Sequence, residues 1–201
     1  GAGTVTLSGS AANTFSGTNT LSQGVLELNK TAGVNAIAGT NLTVSKVDNN
    51  NRATLLLSAN NQVANTTTVT LSGGTIQRGS GVSEVFGNLN LTEASFLDFG
   101  TGDVGTLSFG TYAPTSLLTV QNFLPGNTLT FGSDLSSTIN NPSNFSFSGN
   151  FTSSYSGSTF TITAIPEAST WIAVAGMIGL FYWPARKRVV RDIRRMFRSR
   201  A

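Results

Sequence analysis

The sequence predicts an all-β chain, and three observations lead there. Short runs of alternating apolar and polar residues recur between Gly, Asn and Ser breaks. No stretch of about ten residues or more before Pro166 carries helical periodicity, and several of the runs repeat one another.

The runs follow in order. Thr4-Val5-Thr6-Leu7, Val25-Leu26-Glu27-Leu28, Leu42-Thr43-Val44 and Ala53-Thr54-Leu55-Leu56-Leu57 occupy the first third. Thr68-Val69-Thr70-Leu71, Leu89-Asn90-Leu91, Phe96-Leu97-Asp98-Phe99 and Thr106-Leu107-Ser108-Phe109 come next. Leu117-Leu118-Thr119-Val120, Thr128-Leu129-Thr130-Phe131 and Phe160-Thr161-Ile162 complete the set. Each has the period of a strand with one face buried, and β-branched Thr and Val suit a pleated surface.

Repetition selects the kind of β protein. Val5-Thr6-Leu7-Ser8-Gly9 returns unchanged as Val69-Thr70-Leu71-Ser72-Gly73, and Gly105-Thr106-Leu107-Ser108-Phe109-Gly110 is echoed by Asn127-Thr128-Leu129-Thr130-Phe131-Gly132, 22 residues on. Strands about 10 residues apart with repeats near 20 suit the coils of a right-handed parallel β-helix, in which no coil buries its apolar residues alone. Gly and Asn at the corners tolerate the positive φ such bends need, and Asn and Thr on adjacent coils can form side-chain ladders. An antiparallel sandwich is the alternative the same spacing allows.

Composition narrows the chemistry. The chain has neither His nor Cys, which removes disulfides, thiolate metal sites, the Ser-His-Asp arrangement and most zinc and copper sites. The expectation is a protein that is not an enzyme, with no catalytic residue, no metal and no cofactor. Glu84, Glu93, Asp98 and Asp103 are the carboxylates a polysaccharide-cleaving β-helix would draw on. Asp98 alternates with Leu97 and Phe99 and so projects outward, while Asp103 sits in Gly100-Thr101-Gly102-Asp103, a turn where Asp is ordinary. That turn occurs once, and calcium-binding turns of this kind need tandem copies. Binding of a matrix polysaccharide is the alternative function, with exposed Tyr112 and Tyr155, and also Phe123 and Phe151, as platforms for sugar rings.

The C-terminal 37 residues differ in kind. Ile165-Pro166-Glu167-Ala168-Ser169-Thr170 leads into an uncharged run from Trp171 to Trp183, then Pro184-Ala185 and a basic end opening with Arg186-Lys187-Arg188. Eight of the 12 Lys and Arg lie here against two acids, a net charge of +6, while residues 1–164 carry −3. The isoelectric point near 9.7 therefore belongs to the tail, and no nucleic-acid partner is expected. As helix, Trp171 to Trp183 spans about 20 Å, and Ala168 to Ala185 about 27 Å, against a hydrocarbon core of about 30 Å. A buried core helix is one reading of that length. Trp171, Tyr182 and Trp183 at its ends and cations on one side only, including Arg186, Lys187 and Arg188, favour an inner-membrane anchor with a cytoplasmic C-terminus. Val189, Ile193, Met196 and Phe197 fall at helical spacing among arginines, so the end is either an amphipathic helix on anionic lipid or a solvated basic tail. The expected organisation is a β-helical region over 1–163, a sorting motif with a membrane helix over 164–185, and a basic tail over 186–201. Because Gly1-Ala2-Gly3 opens without Met, we expect a fragment whose signal peptide lies upstream.

The motif Pro166-Glu167-Ala168-Ser169-Thr170, the short apolar run and the arginine cluster resemble the C-terminal signal of PEP-CTERM proteins of Gram-negative bacteria. Ala168 stands where that motif usually has a second proline, and 16 residues follow Ala185 where family members often stop sooner. The resemblance implies an exported precursor held in the inner membrane, processed near the motif by an exosortase and delivered to the cell surface or an exopolysaccharide matrix. Gly3-Thr4-Val5-Thr6-Leu7-Ser8-Gly9, Asn13-Thr14-Phe15-Ser16-Gly17 and Gln23-Gly24-Val25-Leu26-Glu27-Leu28 are similar to the autotransporter-associated β-strand repeat, which implies a passenger-type β-helix. The resemblance therefore implies a structural or adhesin-type surface protein.

Overall fold

A computed structural model describes residues 3–167 of the 201-residue chain. These residues form sixteen strands and a β-solenoid of about six turns. The described residues up to Ile165 form one compact unit.

Three stacks of strands make the walls. The first runs β1 (Thr4–Gly9), β3 (Gly24–Lys30), β5 (Asn51–Leu57), β7 (Thr75–Arg78), β10 (Ser95–Asp98), β12 (Leu118–Gln121) and β14 (Phe145–Phe147), all parallel. The second is β2 (Asn19–Leu21), β4 (Asn41–Asp48), β6 (Thr68–Ser72) and β9 (Leu89–Glu93), extended by a bridge from Leu89 to Tyr112. The third begins with the Ile37–Val63 bridge and continues through β8 (Glu84–Val85), β11 (Thr106–Phe109) and β13 (Thr128–Phe131).

The period-2 pattern works as the sequence suggests. In the first stack one inward row is Val5, Leu26, Leu55, Ile76, Leu97, Val120 and Phe147, each paired to the next in register. Leu55, Ile76, Leu97 and Val120 are fully buried. In the third stack Leu107 sits on Leu129 and Phe109 on Phe131, so the 22-residue echo marks one coil stacked on the next. The identical pentapeptides do not obey that rule: Val5–Gly9 forms β1 in the first stack, whereas Val69–Gly73 runs through β6 in the second. The pattern encodes a strand and a glycine turn, with Gly9 at φ 102° and Gly73 at φ 85°, but not a wall.

Corners carry the expected residues. Gly100 has φ 67°, and a Cβ there would lie 2.6 Å from the Arg78 carbonyl oxygen, so both torsion and space require glycine. Asn61 and Asn122 take the left-handed conformation at φ 51° and 52°. Corner asparagines bond mainly to the backbone of adjacent coils rather than to one another. Asn60 Oδ1 accepts from the Ser83 N–H, Asn88 Oδ1 from the Thr111 N–H and Asn127 Oδ1 from the Gly105 N–H. Coil length varies with corner content: Thr4 pairs with Val25, but Val25 pairs with Thr54, because a hairpin from β4 to β5 adds chain at one corner.

Parallel winding ends at β16 (Thr159–Ala164), which runs antiparallel to β13 and is flanked by antiparallel β15 (Phe151–Ser156). The apolar rows survive the reversal, with Ile162 opposite Leu129 and Phe160 opposite Phe131. Leu135, Ile139 and Phe145, each under 5% exposed, fill the core at this end. An antiparallel sandwich is therefore not the fold, although the closing hairpin borrows its pairing.

Candidate functional site

Outward residues of the third stack form two rows. Thr106, Thr128 and Thr163 align in one, and Ser108, Thr130 and Thr161 in the other, all half-exposed. Neighbouring strands put the rungs about 4.8 Å apart, and alternate residues along a strand put the rows about 6.7 Å apart. Thr130 Oγ1 donates to Ser108 Oγ at 2.8 Å. The result is a flat, uncharged hydroxyl surface. The outward side of the first stack is polar and charged instead: Thr6 and Ser58 donate to the two Glu27 carboxylate oxygens, and Gln77 and Asn122 donate to Asp98.

The four candidate carboxylates do not converge. Asp98 lies outward as the alternation predicts, its oxygens held by Gln77 Nε2 at 3.1 Å, Asn122 Nδ2 at 2.7 Å and the Gly100 N–H at 2.9 Å. Asp103 is exposed in its turn beside Ser80, which donates to it at 3.3 Å. Glu93 pairs with Lys46 at 3.0 Å, and the Lys46 bond and charge hold its carboxyl below the usual range. Among the described residues no three Asp, Glu, His or Cys side chains gather into a metal-binding group.

Glu84 is the exception in environment. Its side chain is 1% exposed and accepts from the N–H of Gln62 at 2.6 Å and of Val63 at 3.2 Å, while Gln62 Oε1 accepts from the Lys30 N–H. Glu84 thereby substitutes for missing strand carbonyls on the third wall, where the early coils only bridge, and Gln62 does the same at the end of β3. Burial pushes the Glu84 carboxyl up to about 7, against the pull of those N–H donors. Above its ordinary value of 4.5 the folded chain then binds more protons than the unfolded one. Stability is accordingly greatest below about pH 4.5 for this group and falls as pH rises toward 7, by up to about 3 kcal/mol. Thermal melts between pH 4 and 8 check this: the decline should flatten in Glu84→Gln.

The aromatic platforms separate on inspection. Tyr112, expected at the surface, is 3% exposed and stacks on Phe131 at 5.0 Å, its hydroxyl without a hydrogen-bond partner, and burial raises its pKa. Phe123 is equally buried, against Phe99 and Phe147. Both aromatics complete the core, because the loops carrying them fold inward over coil corners. Phe151 is half-buried against Phe147, and Tyr155, 44% exposed on β15, is the platform that remains.

Of the sorting motif, Pro166 and Glu167 follow β16 directly, with Glu167 exposed. Ala168, Ser169 and Thr170 lie outside the described residues, as do the expected anchor residues Trp171, Tyr182, Trp183, Arg186, Lys187 and Arg188. Among the described residues no helix is long and apolar enough to cross a membrane.

No family model, curated protein or solved structure matches this chain. The hydroxyl rows were missed in the sequence because Thr-x-Thr triplets are scattered through a Thr-rich chain, and only register shows which of them share a wall.

Proposed function

We propose that this chain is an exported structural protein of the cell surface or extracellular matrix, a rod-like spacer or adhesin of the kind its sequence resemblance implies. The observation that supports the reading most is the unbroken in-register ladder of Val5, Leu26, Leu55, Ile76, Leu97, Val120 and Phe147. A core built coil on coil, with polar flat walls, makes a stiff element whose length scales with coil number. In this reading the winding is right-handed, the hand that parallel crossovers favour. The segment from Pro166 onward acts as its sorting signal: a short transmembrane helix anchored by Trp171, Tyr182 and Trp183, with Arg186, Lys187 and Arg188 on the cytoplasmic side, cut near the motif by an exosortase-type enzyme. We assign it no catalytic role.

Mass spectrometry of protein recovered from the surface of the native cell tests this reading. The expected C-terminus falls near Pro166–Thr170; a mature surface form that retains Ala201 rejects processing. Replacing Arg186, Lys187 and Arg188 with Gln should weaken membrane retention of the precursor.

The uncharged hydroxyl rows of the third stack favour a second reading, a module for neutral matrix polysaccharide. Co-sedimentation with insoluble neutral glycans should be lost in Thr128→Lys/Thr130→Lys, with thermal stability unchanged. Binding that survives both changes removes this wall from consideration.

A further inference from the structure

We propose that the outer face of the third stack is an ice-binding surface, which holds crystalline water rather than a dissolved ligand. Its two hydroxyl rows extend past the strands that define them. The closing hairpin carries both on, with Thr152 beside Thr163 and Ser154 beside Thr161. In the other direction Val85, 38% exposed, stands beside Ser108. The rows therefore cross a single five-stranded sheet, from β8 through β11, β13 and β16 to β15.

Every member of the two rows is Thr, Ser or Val, and among the described residues no charged side chain enters either of them. The other walls differ. Glu27 and Asp98 stand on the outer side of the first stack, and the Lys46–Glu93 pair on the second. The distinction matters for water. An ammonium is a strongly hydrated point charge, and the shell it orients around itself does not fit a crystal lattice. Thr presents one hydroxyl and one methyl, and Val85 presents methyls alone in the same row. Such a surface anchors water at its oxygens without imposing a competing shell.

Register supplies the lattice. Rungs recur about every 4.8 Å and the rows lie about 6.7 Å apart, a rectangular net. Both spacings are close to the repeats of oxygen on a prism face of ordinary ice. A net of this kind gains from a periodic partner, because each further rung meets another equivalent position. Rigidity adds to the fit. Thr and Val are stiff at χ1, and the bond from Thr130 Oγ1 to Ser108 Oγ fixes one pair of hydroxyls. Waters held by these groups are in place before ice arrives, so contact orders little that was free. The wall is the one invoked above for neutral glycan, but the inference does not rest on that reading.

Slow freezing tests the proposal. Full-length chain in non-ionic detergent, chilled against a growing ice surface beside a co-dissolved inert protein, should be enriched in the ice fraction. It should also facet single ice crystals and slow their recrystallisation. Thr128→Lys/Thr130→Lys should lose all three effects, and so should Thr161→Lys, one rung further along the same row. Thr70→Lys makes the same change at a half-exposed position of the second stack and should lose none. Thermal melts of each variant establish that the fold is kept. Exclusion of the unmodified chain from ice to the level of the inert protein overturns the proposal. Undiminished entry of the folded third-stack variants, or equal loss in Thr70→Lys, overturns it as well. The ice fraction is read with no glycan present and glycan co-sedimentation above freezing, so each use of this wall stands or falls by its own measurement.

Discussion

Phe131→Ala should destabilise the solenoid by about 3–5 kcal/mol, the largest loss expected from any single core truncation here. Phe131 is fully buried and lies where three contacts meet: Phe109 at 5.7 Å, Tyr112 at 5.0 Å and Phe145 at 6.4 Å. It also sits opposite Phe160 at the junction where parallel winding gives way to the closing hairpin. Truncation removes the ring's burial, leaves a cavity that rigid flanking strands cannot collapse, and takes away the ring on which Tyr112 stacks. Chemical denaturation should report the loss as a lower midpoint. If the hairpin unfolds separately, the transition should broaden as well. A change below about 1 kcal/mol would mean that the aromatic column is not packed as described.

The second large effect is expected at Arg78. This residue occupies an inward position directly above Leu57 in the row that begins Leu7, Leu28, Leu57, and it is 1% exposed. A guanidinium replaces an aliphatic side chain there because it ties three coils together. Nη1 donates to the carbonyls of Gly79 and Asp103, and Nη2 donates to Asn127 Oδ1 at 2.7 Å. The plane lies over Phe99 at 5.4 Å. Burial draws its pKa below the ordinary value, opposed by the charges of Asp103 and Asp98. Arg78→Ala should cost about 3–5 kcal/mol, since it strands those acceptors and opens a void together. Arg78→Leu restores the row's volume without the bonds and should recover part of the loss. If Leu proves as stable as Arg, packing outweighs the hydrogen bonds at this corner.

Arg78 also explains where reading the sequence stops working. Strands with clean alternation were legible: Thr106–Phe109 and Thr128–Phe131 coincide with β11 and β13. Thr75-Ile76-Gln77-Arg78 was not, because its second inward residue is a cation, and only the tertiary partners of Arg78 make it acceptable inside. Phe151–Ser156 was illegible for the opposite reason: β15 is an outer strand that buries almost nothing, so it needs no apolar face. The aromatic platforms failed on the same ground in reverse. Tyr112 looks polar enough for a surface loop, yet the ring's area decides its position and the hydroxyl is left unpaired. Glu84 gave no local signal, since its role depends on a wall that two coils leave unfinished. The repeats established stacking but not side, as the two Val-Thr-Leu-Ser-Gly copies show.

The corner between β4 and β5 has an engineering use. Asp48 accepts the N–H groups of Asn50 and Asn51 to close a tight surface hairpin, and the surplus residues of that coil are taken up without disturbing Leu26 on Leu55. Foreign peptides grafted between Asn49 and Asn50 would be displayed outside the rod while the winding beneath kept its phase.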